Sequence, residues 1–356
     1  MRKLVLSILI GVLALGGVFL GQPNQEPVAE ARGGRVLNIY SSRHYGALEA
    51  PFVAFQEATG IEVRVSDGEP RALLERLRAE GDRTPADIFL AIDAGVLSLA
   101  AEEGLLQPVE SEILLNNIDE SQRDPENRWF GLSQRVRTIA YNPEVVDPSE
   151  LSTYEALADP QWKDRLCLRP ASHIYTVSLV SSLIYHHGYD EALEIVKGWV
   201  ANNPTYINSD TRIIETIVAG GCDVGIVNHY YLARLKSQDP EYPAALFWAN
   251  QDASGTFYNV NGAGITANAR NYDEAVEFLE FMSSLEGQAG TPEGLPGVNF
   301  EFPTNPEAEL NEILAQFIEE FGEFELDLEY PLWEYGNYQE DAVRLLEEAG
   351  YGFDEG

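Results

Sequence analysis

Hydrophobic and polar positions along the chain repeat with two periods. From Val36 onward, short apolar runs such as VLNIY and ADIFLAI predict strands, and amphipathic stretches such as EPRALLERLRAEG predict helices that end at a glycine. Strands that alternate with helices indicate a parallel sheet covered on both faces. The first part of the chain therefore predicts an α/β domain.

A second α/β set follows after a change of pattern. The stretch WFGLSQRVRTIAYNPEVV has an extended pattern, and GTFYNVNGAGITANA is a second extended, glycine-rich stretch. Two α/β sets joined by extended passages predict two lobes with crossover strands, an interlobe ligand cleft and a hinge in the connectors. We assign residues 35–133 with 262–300 to lobe 1, and residues 134–261 with 301–353 to lobe 2.

The first residues carry the pattern of an export signal. MRK precedes the apolar run LVLSILIGVLALGGVFL, and a polar stretch with Ala29-Glu30-Ala31 follows. These features are typical of a cleavable signal peptide, so we expect residues 1–31 to be removed and the mature protein to be periplasmic. Because the apolar run is slightly long, an uncleaved anchor is the alternative.

Charge and cysteine content narrow the classes of partner and compartment. A formal net charge of −35 argues against nucleic acid and anionic membrane surfaces, which are bound by basic patches. The two cysteines, Cys167 and Cys222, precede short apolar runs that could be neighbouring strands. In an oxidising compartment an even count favours a disulfide, and two buried thiols are the alternative.

Tyrosine and histidine follow three of the predicted strands. The strand runs VLNIY, RLCLRP and CDVGIVN are followed by SSRHYG, ASHIYT and HYY. In parallel α/β sheets the carboxyl ends of strands gather at one edge, where ligands bind. The residues at these ends are His44 with Tyr45, His173 with Tyr175, and His229 with Tyr230 and Tyr231.

Several phenols at one edge suit a hard, highly charged cation. A phenol with a pKa of about 10 ionises near neutral pH only beside strong positive charge, which a metal ion supplies. Oxygen anions favour hard ions, and among these ferric iron fits best, since divalent metals more usually recruit histidine with carboxylates, or thiolates. Taken singly, each tyrosine is more often a stacking or hydrogen-bonding group.

Motifs along the chain resemble the periplasmic ferric-ion-binding proteins of iron ABC importers. They include LNIYSSRHYGALE, WFGLSQRVRTIAYNP, GIVNHYYLARL, GAGITANARNYDEAVEFLEFM and GNYQEDAVRLLEEAGY, and the similarity runs from about Val36 to Tyr351. It is strongest to the branch that binds iron with tyrosines and a histidine. The resemblance implies a bilobal type II periplasmic-binding-protein fold of the α/β class, and no enzymatic activity.

The resemblance also implies specific residues for the iron site. The implied metal ligands are His44, Tyr45, Tyr175, Tyr230 and Tyr231. In related proteins water or another group can take the place of His44. Arg137 and Arg234 match arginines that offset phenolate charge, whereas a surface position is nearly as good an interpretation for Arg135. His173 and His229 are expected either to support the ligands or to be exposed.

By the same resemblance, the protein captures Fe3+ in the cleft, closes by a hinge motion and delivers the ion to a membrane permease driven by a partner ATPase. We expect a monomer. The alternative within the fold is a binding protein for a small organic or anionic solute, with Ser41, Ser42, Arg43 and Ser172 able to cradle it. An exported enzyme ranks last, because the sequence has no nucleophile elbow or glycine-rich phosphate loop.

Overall fold

Hydrogen-bonded strands run through the whole of the computed structural model, which describes residues 34–43, 46, 49–289 and 300–352. The strands are β1 (Val36–Ser41), β2 (Glu62–Asp67), β3 (Ile88–Ala91), β4 (Leu106–Gln107), β5 (Phe130–Tyr141), β6 (Leu166–Leu168), β7 (Thr205–Tyr206), β8 (Val224–Asn228), β9 (Ala245–Phe247), β10 (Tyr258–Thr266) and β11 (Phe302–Pro303). Within these residues the order is β2-β1-β3-β10-β5-β8-β6-β7, with β4 beside β10 and with β9 and β11 beside β5.

Helices cover the strands. They are α1 (Ala50–Thr59), α2 (Pro70–Glu80), α3 (Ala94–Glu102), α4 (Glu112–Asn117), α5 (Ile174–His187), α6 (Tyr189–Ala201), α7 (Asp210–Val218), α8 (His229–Gln238), α9 (Tyr272–Ser283), α10 (Leu285–Ala289), α11 (Glu312–Phe321) and α12 (Gln339–Glu348). Several begin with a side chain that accepts a backbone N–H three residues later and so pairs a donor at the helix start. These caps are Asp93, Ser111, Ser209 and Asn311.

The two extended passages of the sequence are strands β5 and β10, as predicted. Residues 130–136 of β5 pair antiparallel with β10, and residues 137–141 pair antiparallel with β8. The pairings of β1 with β2 and β3 are parallel, and so are those of β6 with β7 and β8. The predicted α/β fold is therefore confirmed, and β5 links the strand set around β1 to the set around β8.

Two glycines in β10 are required by close packing. A Cβ atom on Gly262 would lie 2.6 Å from Leu97 and 2.8 Å from the Phe130 carbonyl oxygen. On Gly264 it would lie 2.5 Å from the Arg128 carbonyl oxygen. Glycine at these positions lets the neighbouring backbone approach β10 closely.

The acidic, aromatic stretch GEFELDLEYPLWEYG ties several elements together. The Thr256 N–H, just before β10, donates to the Glu325 carbonyl at 2.9 Å, and the Asp327 N–H donates back to the Thr256 carbonyl at 3.0 Å. His186, near the end of α5, contacts the Asp327 carboxylate at 2.7 Å. The 3₁₀ helix Leu332–Tyr338 packs against α3. The stretch, which has no functional interpretation in the sequence, thus holds β10, α5 and α3 together.

The predicted disulfide is present. Cys167 in β6 and Cys222 just before β8 are bonded, with their Cα atoms 5.9 Å apart, and both are buried. The two strands are parallel neighbours, with Cys167 opposite Gly225. The bond therefore ties β6 to the segment that leads into β8.

The predicted signal peptide, residues 1–31, and the anchor alternative lie outside the described residues. Among the residues that the structure describes, none of the helices is long and apolar enough to span a membrane.

The disulfide should contribute strongly to stability. Its half-cystines are separated by 55 positions, and closing a loop of this length restricts the unfolded chain, which predicts a stabilisation of about 4 kcal/mol. We expect the Cys167→Ala/Cys222→Ala double variant to lower the free energy of unfolding in urea by about 2–5 kcal/mol. Reductant should destabilise the native protein but leave the double variant unchanged. Equal stabilities of the native protein and the double variant would contradict this.

Candidate metal centre

Tyr230 and Tyr231 lie on the first turn of α8, directly after β8 ends at Asn228. Successive residues of a helix are rotated by about 100°, so neighbours can face the same space, whereas in a strand they point to opposite faces. The two rings are 4.3 Å apart, with an angle of 30° between their planes. The helix starts at His229, and so the pair lies within the helix and not on a turn before it.

Tyr175 meets this pair from the first turn of α5. The imidazole of His173 caps the helix, because its Nδ1 accepts the Tyr175 backbone N–H at 3.2 Å. The hydroxyl oxygens of Tyr175 and Tyr230 are 3.2 Å apart. Both side chains are buried, and Tyr231 is half-buried. The structure thus brings together three of the tyrosines that the sequence singles out.

The other two sequence-predicted ligands, His44 and Tyr45, lie outside the described residues. Arg43, just before them, is held by two carboxylates. Its Nε donates to Glu49 at 3.0 Å, and its Nη1 donates to Glu301 at 3.4 Å. The chain that leads to His44 is therefore tied to the start of β11.

Arginine side chains surround the phenols. Arg135, on β5, donates from Nη1 to the Tyr175 hydroxyl at 2.9 Å, and only 2% of the residue is exposed. The guanidinium of Arg234 lies 5.1 Å from the Tyr230 ring centre and 5.3 Å from that of Tyr231. Arg234 thus lies beside the tyrosine pair, whereas the surface interpretation of Arg135 is wrong. Strand alternation was a signal for this, because Arg135 and Arg137 share a face of β5.

Arg137 acts on the site through its scaffold. It donates to the Asp210 carboxylate at 3.0 Å, to the Asn228 side-chain oxygen at 3.2 Å and to the Ile226 carbonyl at 3.0 Å. Its guanidinium also lies 5.4 Å from the Tyr175 ring centre. Arg137 therefore fixes the end of β8, from which the tyrosine pair starts.

Asp210 is a site residue that sequence reasoning missed. It is 1% exposed, accepts the Asn228 N–H at 3.0 Å and lies 3.2 Å from Nε of Arg169. Burial opposes its ionisation, but the charges of Arg137 and Arg169 outweigh burial and lower its pKa. An aspartate on the first turn of a helix is common, so SDTRIIE carried no signal for this role.

Burial makes the phenols resist ionisation. It raises the pKa of both Tyr230 and Tyr231 well above the usual value, and negative charge on Tyr175 would raise them further. Arg135 opposes this effect at Tyr230, and Arg234 opposes it at Tyr231. The arginines alone leave the pair protonated near neutral pH. A multiply charged cation at the hydroxyl oxygens would supply the missing positive charge.

The two histidines beside the tyrosines have structural roles. His229 is fully buried, its Nδ1 accepts the Val136 N–H at 3.1 Å, and its Nε2 donates to the Phe300 carbonyl at 2.9 Å. Burial lowers the pKa of His229 to about 4 and that of His173 to about 3, so both are neutral. Both ring nitrogens of His229 are occupied by backbone groups, and the interpretation of this residue as exposed is wrong.

A cleft opens beside the phenols. It has a volume of about 700 Å³ and is lined by Tyr175, Tyr231, Arg169, Asn208 and Arg71, among others. In the described ranges, histidine, cysteine, aspartate and glutamate form no group of three or more that could hold a metal. Among the residues that line this cleft, Tyr175 and Tyr231 carry phenol oxygens.

Known proteins resemble this chain over most of its length. Iron uptake protein A1 of Synechocystis is 38% identical over 98% of both chains. A solved structure from Trichodesmium (IdiA, FutA), in complex with iron and citrate ligands, has a TM-score of 0.79 at 40% identity and covers 89% of this chain and 99% of its own. A ferric binding protein from Campylobacter jejuni has a TM-score of 0.81 at 33% identity, covering 88% and 99%.

These structures confirm the predicted bilobal type II periplasmic-binding-protein fold. The family model for bacterial extracellular solute-binding proteins matches residues 40–289. The match spans more than half of the chain, and this chain belongs to the family of bacterial extracellular solute-binding proteins.

Proposed function

We propose that this protein binds Fe3+ through phenolate oxygens and carries it for cellular uptake. The observation that carries the proposal is the convergence of Tyr175, Tyr230 and Tyr231 beside buried arginines, with the Tyr175 and Tyr230 hydroxyl oxygens 3.2 Å apart. Tyr45 and His44, which follow β1, complete the proposed ligand set. The iron-binding relatives support the choice of ion.

The ion's charge decides the chemistry. Phenolates are hard anionic ligands, and Fe3+ is a hard, highly charged cation. When the ion binds, each phenol that coordinates it loses a proton. Arg135 and Arg234 then face phenolate oxygens. Their positive charge stabilises the negative charge that remains on the phenolates after the protons have left. The protein carries out no reaction on the ion beyond coordination.

The wider role follows from the fold and the relatives. We propose that lobes 35–133 with 262–300 and 134–261 with 301–353 close over the ion by a hinge in β5 and β10. The closed, monomeric protein delivers it to an ABC permease driven by a partner ATPase. Residues 1–31 serve as the signal peptide for export to the periplasm.

A second candidate solute is a small anion. Arg169 is 6% exposed, lines the cleft, and its Nη1 has no hydrogen-bond partner among the described residues. Ser172 lines the same cleft. Thermal shifts with ferric salts, with citrate alone and with phosphate alone separate the two candidates. A shift produced by an anion without iron would favour the anionic solute.

Removal of one phenol oxygen from the pair should abolish tight iron binding. We expect Tyr230→Phe and Tyr231→Phe each to weaken Fe3+ binding by ~100-fold or more, since losing a group that only supports a ligand already costs ~10–100-fold. The measurement is competition with citrate, followed by the visible phenolate-to-iron charge-transfer band. Tyr185→Phe is the matched control, because Tyr185 lies at the far end of α5 and bonds the Glu329 carbonyl. If both variants retain Fe3+ against citrate as well as the wild-type protein does, the proposal is wrong.

Arg135 should support the phenolate at Tyr175 mainly through its charge. We expect Arg135→Met to weaken Fe3+ binding by about 10–100-fold, and Arg135→Lys to lose less because it keeps a cation. Equilibrium competition with citrate measures both. Arg270→Met, at an exposed position after β10, controls for the loss of one positive charge elsewhere on the protein. If the Arg135→Met and Arg135→Lys variants bind iron as tightly as the wild-type protein, Arg135 has no such role.

A further inference from the structure

Glu301 lies where the two crossover strands run side by side. Ser133 of β5 and Asn261 of β10 are paired residues, and both donate a side-chain hydrogen bond to the same oxygen, Oε2 of Glu301. The register of the two strands shifts directly after Asn261. The carboxylate is 4% exposed. It is therefore a buried charge bound to both strands of the proposed hinge.

The Glu301 carboxylate also contacts Arg43, the residue before the predicted ligands His44 and Tyr45. Nη1 of Arg43 lies 3.4 Å from Oε2 of Glu301, and His44 and Tyr45 follow Arg43 directly. Glu49 holds the other side of the guanidinium, through Nε at 3.0 Å. Because Arg43 itself is largely buried, these two carboxylates help to compensate its charge.

The residue before Glu301 reaches the opposite side of the site. The Phe300 carbonyl accepts the Nε2–H of His229 at 2.9 Å, and the His229 ring stacks on Phe302 at 4.6 Å. His229 directly precedes Tyr230 and Tyr231. The segment 300–302 is therefore bonded both to the chain before Tyr45 and to the chain before the tyrosine pair.

The charges around Glu301 link it to the phenols as well. Burial opposes its ionisation, but Arg43, Arg135 and Arg234 outweigh burial and lower its pKa. Two of these arginines, Arg135 and Arg234, also face the tyrosine rings. Glu301 thus shares its neighbouring cations, Arg135 and Arg234, with the tyrosines.

From these contacts we infer that Glu301 is a positioning residue that couples the two ligand-bearing segments across the hinge and thereby slows the release of bound iron. This inference rests on the proposed function. Glu301 acts through Arg43 on the chain that precedes His44, and through the backbone of segment 300–302 on the start of the helix that carries Tyr230 and Tyr231. Its loss changes how firmly the closed state holds the ion, while the ligands stay the same.

The test is the rate at which excess citrate removes Fe3+ from the loaded full-length mature protein, followed by the charge-transfer band. Glutamine at position 301 can still accept bonds from Ser133 and Asn261 but offers no charge to Arg43. We expect release to be about tenfold faster from Glu301→Gln, which corresponds to ~1.4 kcal/mol, and faster still from Glu301→Ala. The band should keep its wavelength. Glu323→Gln, an exposed carboxylate, is the matched control and should release iron as the wild type does.

Thermal unfolding separates positioning from a merely structural role. Binding to the native state raises the melting temperature, so loss of coupling should shrink the iron-induced rise in Glu301→Gln, whatever the iron-free melting temperature of the variant. A lower iron-free value with an unchanged iron-induced rise, or a wild-type release rate, overturns the inference.

Ser133→Ala provides a second variant if Glu301→Gln folds poorly. It removes one hydrogen bond to the carboxylate, and we expect a smaller acceleration of release in the same direction. An unchanged release rate in Ser133→Ala would then overturn the inference. Failure of the wild-type protein to bind Fe3+ at all is a different result, because it would reject the proposed function itself.

Discussion

Buried phenol groups resist ionisation, and the arrangement of the site depends on this resistance. Burial of Tyr230 and partial burial of Tyr231, whose rings lie 4.3 Å apart, raise the pKa of both phenols. Several arginines lie at the same place, although burying them is itself costly. Positive charge is held near the hydroxyl oxygens before any ion arrives, so the protein has already met part of the electrostatic cost of forming phenolates.

The scaffold keeps these charges at fixed distances. Asp210 compensates two arginines and accepts the backbone N–H of Asn228, the last residue of β8. The end of the strand and the start of α8 therefore depend on a buried ion pair as well as on the sheet. Crossover strand β5 carries both Arg135 and Arg137. The strand that joins the set around β1 to the set around β8 therefore also places two positive charges near Tyr175.

Much of this arrangement could be predicted from the sequence, because local pattern governs it. Period-two and helical runs predicted the α/β fold, the extended passages predicted β5 and β10, and strand ends predicted that Tyr175 and the tyrosine pair meet. The roles of Asp210 and Glu301 depend on contacts between residues far apart in the chain. The burial of His229 likewise depends on the Phe300 carbonyl, which no local pattern signals. His44 and Tyr45 remain sequence predictions.

The placement of Tyr175, Tyr230 and Tyr231 on the first turns of α5 and α8 has a consequence for selectivity. A helix start presents backbone N–H dipoles equivalent to roughly half a positive charge. Two such ends and the neighbouring arginines place positive charge beside the phenols, which the carboxylates of Asp210 and Glu301 partly balance. On the proposed function, a cation enters this site in exchange for phenol protons, so selection among cations follows from their charge more than from the fit of a cavity.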